Sequence, residues 1–190
     1  MTEDIFNRSI ETQELHLAGL EHKLMHYGIV GFLLITPLTL TAFHFIDYFN
    51  SGSTNFKDGE VWFLFLPSVL AIIFYVIQKK RLKFKIVKTS LNAEQLKGII
   101  NEVAKDLKWV RMSSSTKTYI AKTLPGFFSG SWGEQITVLF YNETVLINSI
   151  CDPDRRPSVV SMGRNRENEN TLADKINEAN NNLKRTSDLH

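Results

Sequence analysis

The sequence predicts a membrane α-hairpin of two transmembrane helices, joined to an α+β two-layer domain with an antiparallel sheet and two helices. Three observations support this fold class. The 190-residue chain contains two long apolar runs without Asp, Glu, Lys or Arg, and a cluster of basic residues directly follows the second run. The rest of the chain alternates between strand-like and helix-like spacing of apolar residues.

The two apolar runs cover residues 27–46 and 61–77, and together they form a predicted hairpin of residues 27–78. Each run approaches the roughly 20 residues with which an α-helix crosses the hydrocarbon layer. A secretory signal followed by a buried core helix is the alternative. We disfavour it because 26 residues with five acids precede the first run, and no small-residue cleavage site follows that run.

Basic residues are distributed unevenly around these runs. The segment between the runs contains only Lys57, whereas six basic residues follow the second run: Lys79, Lys80, Arg81, Lys83, Lys85 and Lys88. Cytoplasmic segments of membrane proteins are enriched in Lys and Arg. We therefore expect a multi-pass membrane protein with both termini in the cytoplasm.

Each apolar run contains one proline, Pro37 or Pro67, at a comparable distance from the outer end. Proline removes a backbone donor from a helix, so we expect a kink at each position. Nearby threonine and serine hydroxyls are expected to bond the carbonyls that the prolines leave free. His44 is the only ionisable side chain well within either run, and its place near the boundary favours a hydrated interface residue over a proton relay.

The N-terminal segment, residues 1–26, is predicted to form a cytoplasmic amphipathic helix. Its apolar stripe consists of Ile10, Leu17, Leu20 and Leu24, which recur at helical spacing. The opposite face is mainly acidic, which is unlike the basic face of a helix lying on anionic lipid. The stripe is therefore expected to face protein, namely its own domain, a second copy or a different subunit.

The cytoplasmic α+β domain is predicted over residues 82–184, and residues 185–190 form a tail. Asn92 and Gln95 form a capping box for a helix whose core face is Leu96, Ile99, Ile100, Val103 and Leu107. Strands are predicted at residues 83–88, 108–113, 118–123, 135–150 and 158–162, the fourth of these being a hairpin. A last helix is expected from about Arg166 to Leu183, with Leu172 and Ile176 on its core face.

A two-residue turn at Asn142 and Glu143 fixes the register of this hairpin, because it pairs Tyr141 with Thr144. One face of the hairpin then carries Ile136, Val138, Phe140, Val145 and Ile147 and is expected to form the core. The other face mixes polar and apolar residues. This pattern is typical of a sheet that is covered on one side only.

Four arginines flank the last predicted strand: Arg155, Arg156, Arg164 and Arg166. Gly163 leads into the last helix, and the free N–H groups at a helix start attract anions. These residues form a candidate anion-binding site for a phosphate-bearing molecule. In the alternative interpretation, Arg164 and Arg166 pair with Glu167 and Glu169, while Arg155 and Arg156 neutralise Asp152 and Asp154.

A loop of Gly, Ser and Pro, residues 124–135, carries Phe127, Phe128 and Trp132. Large aromatic side chains are costly to expose, so each needs a covering surface. Three surfaces are considered: the lipid interface, a partner protein, or the open face of the domain's own sheet near Leu139 and Leu146. The loop is therefore a candidate membrane- or partner-contacting site.

Motifs of nucleotide-binding, zinc-dependent and hydrolytic enzymes are missing from the sequence. Cys151 has basic neighbours, but the five histidines lie in the N-terminal part or at the last residue, so no base is expected beside its thiol. A net charge of +2 gives no reason to expect specific nucleic-acid binding. We therefore predict no enzyme activity, no cofactor and no metal.

The stretches SWGEQITV, VLINSIC and GRNRENENTL resemble those of small bacterial inner-membrane proteins with two N-terminal transmembrane helices and a cytosolic α+β domain. That group has no assigned activity, so the resemblance implies the architecture alone. The expected function is a non-enzymatic membrane-anchored accessory subunit or scaffold with a cytoplasmic protein-interaction domain. The expected partners are the bilayer and either a different protein or further copies of this chain.

The alternative function is a sensor-effector, whose cytoplasmic domain binds an anionic small molecule and whose spans oligomerise into a pore. This architecture resembles bacterial defence effectors that join two spans to a small nucleotide-sensing domain.

Overall fold

The computed structural model describes residues 1–187 except 55, 125 and 127–129. Within these residues it contains five helices and a sheet of five strands. The helices are α1 (Glu3–Thr12), α2 (Gly19–Ser51), α3 (Glu60–Arg81), α4 (Ala93–Asp106) and α5 (Arg164–Ser187). The strands are β1 (Lys85–Lys88), β2 (Trp109–Ser114), β3 (Thr118–Thr123), β4 (Glu134–Tyr141) and β5 (Thr144–Cys151).

Helices α2 and α3 form a hairpin, and both are long and apolar enough to cross a membrane. At 1.5 Å per residue, α2 is about 50 Å long and α3 about 33 Å. Only 6% of the most apolar window of each helix is buried within the chain. These helices therefore need an apolar surrounding that the chain itself does not provide.

Pro37 and Pro67 lie inside continuous helices. Hydroxyl groups beside both prolines bond helix carbonyls: Thr41 Oγ1 donates to Pro37 O at 2.7 Å, and Ser68 Oγ donates to Leu64 O at 2.6 Å. The carbonyls that the prolines free belong to residues 33 and 63, four positions earlier. These hydroxyls thus bond neighbouring carbonyls instead of the freed ones that the sequence analysis expected. The kinks themselves stay a prediction.

The single N-terminal helix expected from the sequence is divided in two. Helix α1 ends where Gln13 takes a left-handed conformation with φ 56°, and the next residues pair with the start of the sheet domain. Leu15 N donates to Leu82 O at 2.6 Å, and Phe84 N donates to Gln13 O at 3.0 Å. Backbone pairing with residues 82–84 therefore overrides the helical spacing of this segment.

This division also separates the members of the predicted apolar stripe. Leu17 is buried and Ile10 is half-buried against the chain's own sheet, whereas Leu20 and Leu24 are 71% and 62% exposed on the first two turns of α2. The stripe is thus not one continuous surface. Only its second half remains available to a partner.

The sheet is antiparallel throughout, with the strand order β1-β5-β4-β3-β2. The turn between β4 and β5 is the predicted one, because Tyr141 pairs with Thr144 and Asn142 has φ 51°. Residue 142 thus takes the left-handed conformation that asparagine tolerates better than most residues. The register predicted from the sequence is confirmed.

Helices α4 and α5 cover one face of the sheet. The capping box of α4 is confirmed, since Asn92 Oδ1 accepts from Gln95 N at 2.9 Å and Gln95 Oε1 accepts from Asn92 N at 2.9 Å. The core between helices and sheet includes the residues predicted from their spacing: Leu96, Ile100, Val103, Ile136, Val138, Val145, Ile147, Leu172 and Ile176. Half-buried Ile99, Leu107 and Phe140 pack against it.

The opposite face of the sheet is covered as well, which differs from the expectation of an open face. Leu139, Leu146 and Ile150 of this face pack against Phe6, Leu15, Leu17 and Phe84. Residues 1–18, which we call the N-terminal strap, supply most of this cover. The acidic N-terminal segment therefore docks on its own domain.

Residues 158–162 do not form the predicted strand. They run as an irregular segment in which Val159 is buried and Val160 is exposed. The Val159 carbonyl accepts a hydrogen bond from Arg81 Nη1, so the backbone is satisfied by a side chain instead of a neighbouring strand. Helix α5 also continues to Ser187, beyond the predicted start of the tail at residue 185.

The helical hairpin and the sheet domain contact each other through a polar junction at the end of α3. His26 Nε2 lies 3.1 Å from Gln78 O, and the Gln78 side chain donates to His26 O. Asn148 Nδ2 of β5 donates to Arg81 O at 2.8 Å and to Lys83 O at 3.1 Å. The exit of α3 is thus bonded both to α2 and to β5 of the sheet.

The packing of the strap predicts a local effect of Phe6→Ala. Removing a buried phenylalanine ring costs about 3–5 kcal/mol, and α1 is peripheral, so we expect α1 to detach while the sheet persists. Hydrogen exchange of the detergent-solubilised chain should accelerate in residues 3–17 and stay slow in β4. The exposed substitution Arg8→Ala is the control, and unchanged exchange of α1 in Phe6→Ala would contradict this packing.

Candidate functional site

The four arginines of the sequence-predicted anion site do not converge. Arg155 Nε lies 3.5 Å from Asp152 Oδ2, and the Arg156 guanidinium lies 4.8 Å from the ring centroid of Trp132. Arg164 Nη1 lies 3.9 Å from Glu134 Oε2. Arg166 lines a different cavity on the other side of the start of α5.

The acids near Arg155 have further partners that the sequence did not indicate. Lys122 Nζ lies 2.7 Å from Asp152 Oδ1 and also bonds Asp154. His22 Nε2 of α2 lies 2.8 Å from Asp154 Oδ1. The hydrogen bond from Lys122 is the main reason why the pKa of Asp154 is lowered. This cluster joins α2 to the segment after β5.

The aromatic loop is described only in part, because Phe127 and Phe128 lie outside the described residues. Trp132 is 52% exposed and has Arg156 on its ring. The buried carboxylate of Glu134 accepts hydrogen bonds from Thr123 and Ser131, which fixes the end of the loop. Trp132 is therefore held at the surface and does not cover the sheet.

A basic cavity of about 560 Å³ lies where α3 leaves the hairpin, between this exit, β5 and the start of α5. Four cationic side chains line it, from α3, the α3–β1 link and α5: Lys80, Arg81, Lys83 and Arg166. Ile77, Ser149, Ser161, Gly163, Asn165 and Glu169 complete the lining. We call this space the basic cavity.

The cavity exists because β1 pairs with only half of β5. Their register ends at Lys85 and Ile147, so the N–H of Ser149 has no strand partner. It donates instead to Glu169 Oε1 at 2.8 Å. The chain between Arg81 and Lys85 thus turns away from β5 and leaves a gap at the sheet edge.

A buried polar network forms the floor of the basic cavity. Ser149 Oγ donates to Asn165 Oδ1 at 3.2 Å and accepts from Asn168 Nδ2 at 3.0 Å. Asn168 Oδ1 in turn accepts from Trp109 Nε1 at 2.9 Å. Asn165 is 6% exposed, and its Nδ2 finds no hydrogen-bond partner among the described residues. One donor of an otherwise complete network is therefore left unsatisfied beside the cavity.

Glu169 carries the most strongly shifted carboxyl beside the cavity. Burial raises its pKa to about 7, against the opposing effects of the Ser149 N–H and of Lys85, Arg166 and Arg81. At neutral pH the carboxyl is thus close to half protonated. The charge of the basic cavity consequently changes within the physiological pH range.

Cys151 is half-buried, and burial raises the pKa of its thiol. A raised pKa disfavours the thiolate that nucleophilic chemistry needs. Arg81 Nη1 lies 4.0 Å from its sulfur and donates to Val159 O. Among the residues that the structure describes, no three His, Cys, Asp or Glu side chains are placed to hold a metal ion.

Of the residues that line the basic cavity, only Gly163 and Arg166 were predicted from the sequence as parts of a site. Lys80, Arg81 and Lys83 were interpreted only as markers of orientation, and Ser149 and Asn165 were given no role. One signal was present: Asn148 and Ser149 interrupt the apolar strand VLINSIC. Adjacent polar residues in a buried strand indicate polar partners on both faces of the sheet.

The raised pKa of Glu169 predicts a pH-dependent free energy of unfolding. Between about pH 4.5 and about 7 the folded chain holds a proton on Glu169 that the unfolded chain has released, so this group lowers stability as pH rises through that window. Glu169→Gln cannot ionise and should flatten this part of the stability curve. Thermal unfolding across that range checks it, with the exposed Glu178→Gln as control.

The same pH slope in wild type and in Glu169→Gln would contradict the assigned burial of this carboxyl.

Comparisons with known proteins do not assign the chain to a family. No protein-family model, no curated protein and no solved structure matches it. A function is therefore inferred from the geometry of the hairpin, the exposed surfaces and the basic cavity.

Proposed function

We propose that this chain is a non-enzymatic, membrane-anchored accessory subunit or scaffold, with a cytoplasmic domain that binds another protein. Anchoring is supported by α2 and α3, which are apolar, long enough to span a bilayer, and contain few buried residues. Apolar side chains in this arrangement are stable in lipid and unfavourable in water.

The proposed orientation places the sheet domain and both termini in the cytoplasm of a bacterial inner membrane. The last turn of α3 carries Lys79, Lys80 and Arg81, and its first turn carries Glu60. This asymmetry follows the preference of basic residues for the cytoplasmic side. The basic cavity then lies at the cytoplasmic surface of the membrane.

The observation that carries the accessory role is that large apolar residues are exposed outside the proposed spans as well as inside them. Leu20 and Leu24 are one helical turn apart on α2, and Leu20 lies about 10 Å beyond the first residue of the span. Trp132 and Met162 are exposed on the sheet domain, 52% and 68% respectively. These residues lie outside the proposed spans, so we expect a protein surface to cover them.

The polar junction adds a second argument for a scaffold. The exit of α3 is bonded to α2 through His26 and Gln78, and to β5 through Asn148. A domain held in this way keeps a fixed position relative to its anchor. A partner bound by the domain is consequently held at a defined place above the membrane.

The orientation is tested with single cysteines in a Cys151→Ser background. We expect Lys105→Cys, exposed on α4, to react with a membrane-impermeant maleimide only after cells are permeabilised. Ser53→Cys, exposed between α2 and α3, should react in intact cells. Labelling of Lys105→Cys in intact cells would disprove the cytoplasmic placement of the domain.

The accessory role is tested by purifying the chain from native membranes in mild detergent. We expect a stoichiometric partner, either a different subunit or a second copy, and its loss in the double variant Leu20→Ser with Leu24→Ser. The matched control is Glu21→Ser with Lys23→Ser on the same two turns. A photo-crosslinking residue at position 24 identifies the partner by the mass of the adduct.

A monomer without adduct in several mild detergents would contradict the accessory role. Equal loss of the partner in both double variants would place the contact elsewhere.

A second candidate function is the sensor-effector, and the basic cavity is the observation that favours it. The cavity adjoins the last turn of α3, so an anion bound there would contact the hairpin directly. Ligand-dependent leakage from proteoliposomes distinguishes this function from the accessory role. An accessory subunit is expected to cause no leakage with any anion.

A further inference from the structure

We propose that the basic cavity is a binding site for a phosphate group, with Asn165 Nδ2 and the side chains of Lys80 and Arg166 as donors to its oxygens. This site differs from the sequence-predicted one, with which it shares only Gly163 and Arg166. It is also independent of the accessory role, because a phosphate group can bind with or without a protein partner.

The buried Nδ2 donor of Asn165 has no hydrogen-bond partner among the described residues. A buried donor without an acceptor costs about 1–3 kcal/mol, and the side chain cannot turn away without losing the bond from Ser149 Oγ. Its Nδ2 is the one atom of the Trp109–Asn168–Ser149–Asn165 network that has no partner among the described residues. This atom is closed off from solvent in the structure, so the Asn165 amide has to move slightly before an acceptor oxygen in the cavity completes the network.

Positively charged side chains converge on the basic cavity. Lys80, Arg81, Lys83 and Arg166 reach one cavity, and Glu169 is the only acid among the described residues that line it. Arg81 is already fixed, because its Nη1 donates to Val159 O. Fixing a cation before the ligand arrives reduces the entropy lost on binding. Like charges gathered in this way repel each other until an anion neutralises them.

The start of α5 adjoins the basic cavity. The first N–H groups of a helix have no intrahelical acceptors and favour an anion. Gly163, next to this start, lines the cavity, and apart from its chain neighbours no heavy atom of the described residues lies within 4 Å of the place where a Cβ would be. A tetrahedral phosphate could therefore approach the backbone without a steric obstacle.

Glu169 is compatible with such a ligand. Its pKa of about 7 keeps a large share of the carboxyl neutral at physiological pH, and a neutral carboxyl offers an O–H donor to an anion. The charged groups that act on it are Lys85, Arg166 and Arg81, all cationic. Protonation of Glu169 therefore increases the positive charge that a phosphate group meets.

Two kinds of molecule carry such a phosphate group: a phospholipid and a free phosphate ester. Ile77, on the last apolar turn of α3, lines the cavity, so a phospholipid could place its headgroup inside while its acyl chains lie along α3. The volume of about 560 Å³ also admits a free phosphate ester. Both ligands present the same oxygens to Asn165, Lys80 and Arg166.

The test uses the full chain purified in maltoside detergent, with two arms. In the free-ester arm, calorimetry measures the binding of glycerol 3-phosphate. In the lipid arm, the chain is reconstituted into nanodiscs of phosphatidylglycerol or of a phosphate-free galactolipid. Native mass spectrometry then counts the lipids that stay bound to the chain. The variants are Lys80→Gln, Arg166→Gln and the near-isosteric Asn165→Asp, with Lys105→Gln as the charge-matched control.

We expect binding in at least one arm, weakened about tenfold by Lys80→Gln or Arg166→Gln, as for loss of one charged hydrogen bond. Asn165→Asp should weaken it further, and Lys105→Gln should not change it. Lys80 is exposed at the end of α3, so its variant tests the site even if Asn165→Asp fails to fold. Retained phosphatidylglycerol assigns the site to lipid, and calorimetric binding alone assigns it to a free ester.

The absence of binding in both arms, or binding that Lys80→Gln and Arg166→Gln leave unchanged, would overturn the proposal. Neither result depends on whether a protein partner or leakage is found.

Discussion

The side-chain amide of Asn148 is the interaction on which the rest of the structure depends. The chain has to change from helix to strand within four residues, between Arg81 and Lys85, and carbonyls at a helix end are left without intrahelical partners. Asn148 Nδ2 binds the carbonyls of Arg81 and Lys83, so a residue of β5 holds the end of α3. This bond places β1 beside β5 and keeps residues 82–84 available for pairing with the N-terminal strap. The helical hairpin, the N-terminal strap and the sheet are thus connected through the segment that Asn148 holds in place.

The basic cavity is a direct result of that connection. Because Asn148 holds Lys83 to the outward face of the sheet, the chain joins β1 only at Lys85, and the rest of the β5 edge is unpaired. A bare sheet edge exposes backbone donors. Here α5 covers the edge with polar side chains, and Glu169 accepts the N–H of Ser149. A helix that covered the same edge with apolar residues would have left that N–H without a partner, so the polar composition of the start of α5 has a structural reason.

The sequence predicted those elements whose cause is local. Helix α4 is specified by Asn92, Gln95 and its own apolar spacing, and the β4–β5 hairpin by two turn residues, so both are confirmed. Residues 1–26 were predicted as one helix, because nothing in their sequence shows that Leu15 and Gln13 bond residues about 70 positions away. The arginines do not converge, partly because Arg155 pairs with Asp152, as the alternative interpretation expected. Arg156 instead lies over Trp132, a contact that the sequence does not indicate. Likewise, Lys80 and Asn165 meet only through the tertiary fold.

One contact gives the hairpin a fixed direction. A Cβ at position 28 would lie 2.8 Å from Pro157 Cγ, so the backbone of α2 touches the segment after β5 at a point where any larger residue would force the two apart. The bond between His22 and Asp154 lies two turns earlier along α2. Two contacts along one helix prevent it from rotating about its axis as well as from sliding. The same longitudinal strip of α2 therefore always faces away from the sheet, and any neighbour of the hairpin encounters one constant arrangement of side chains.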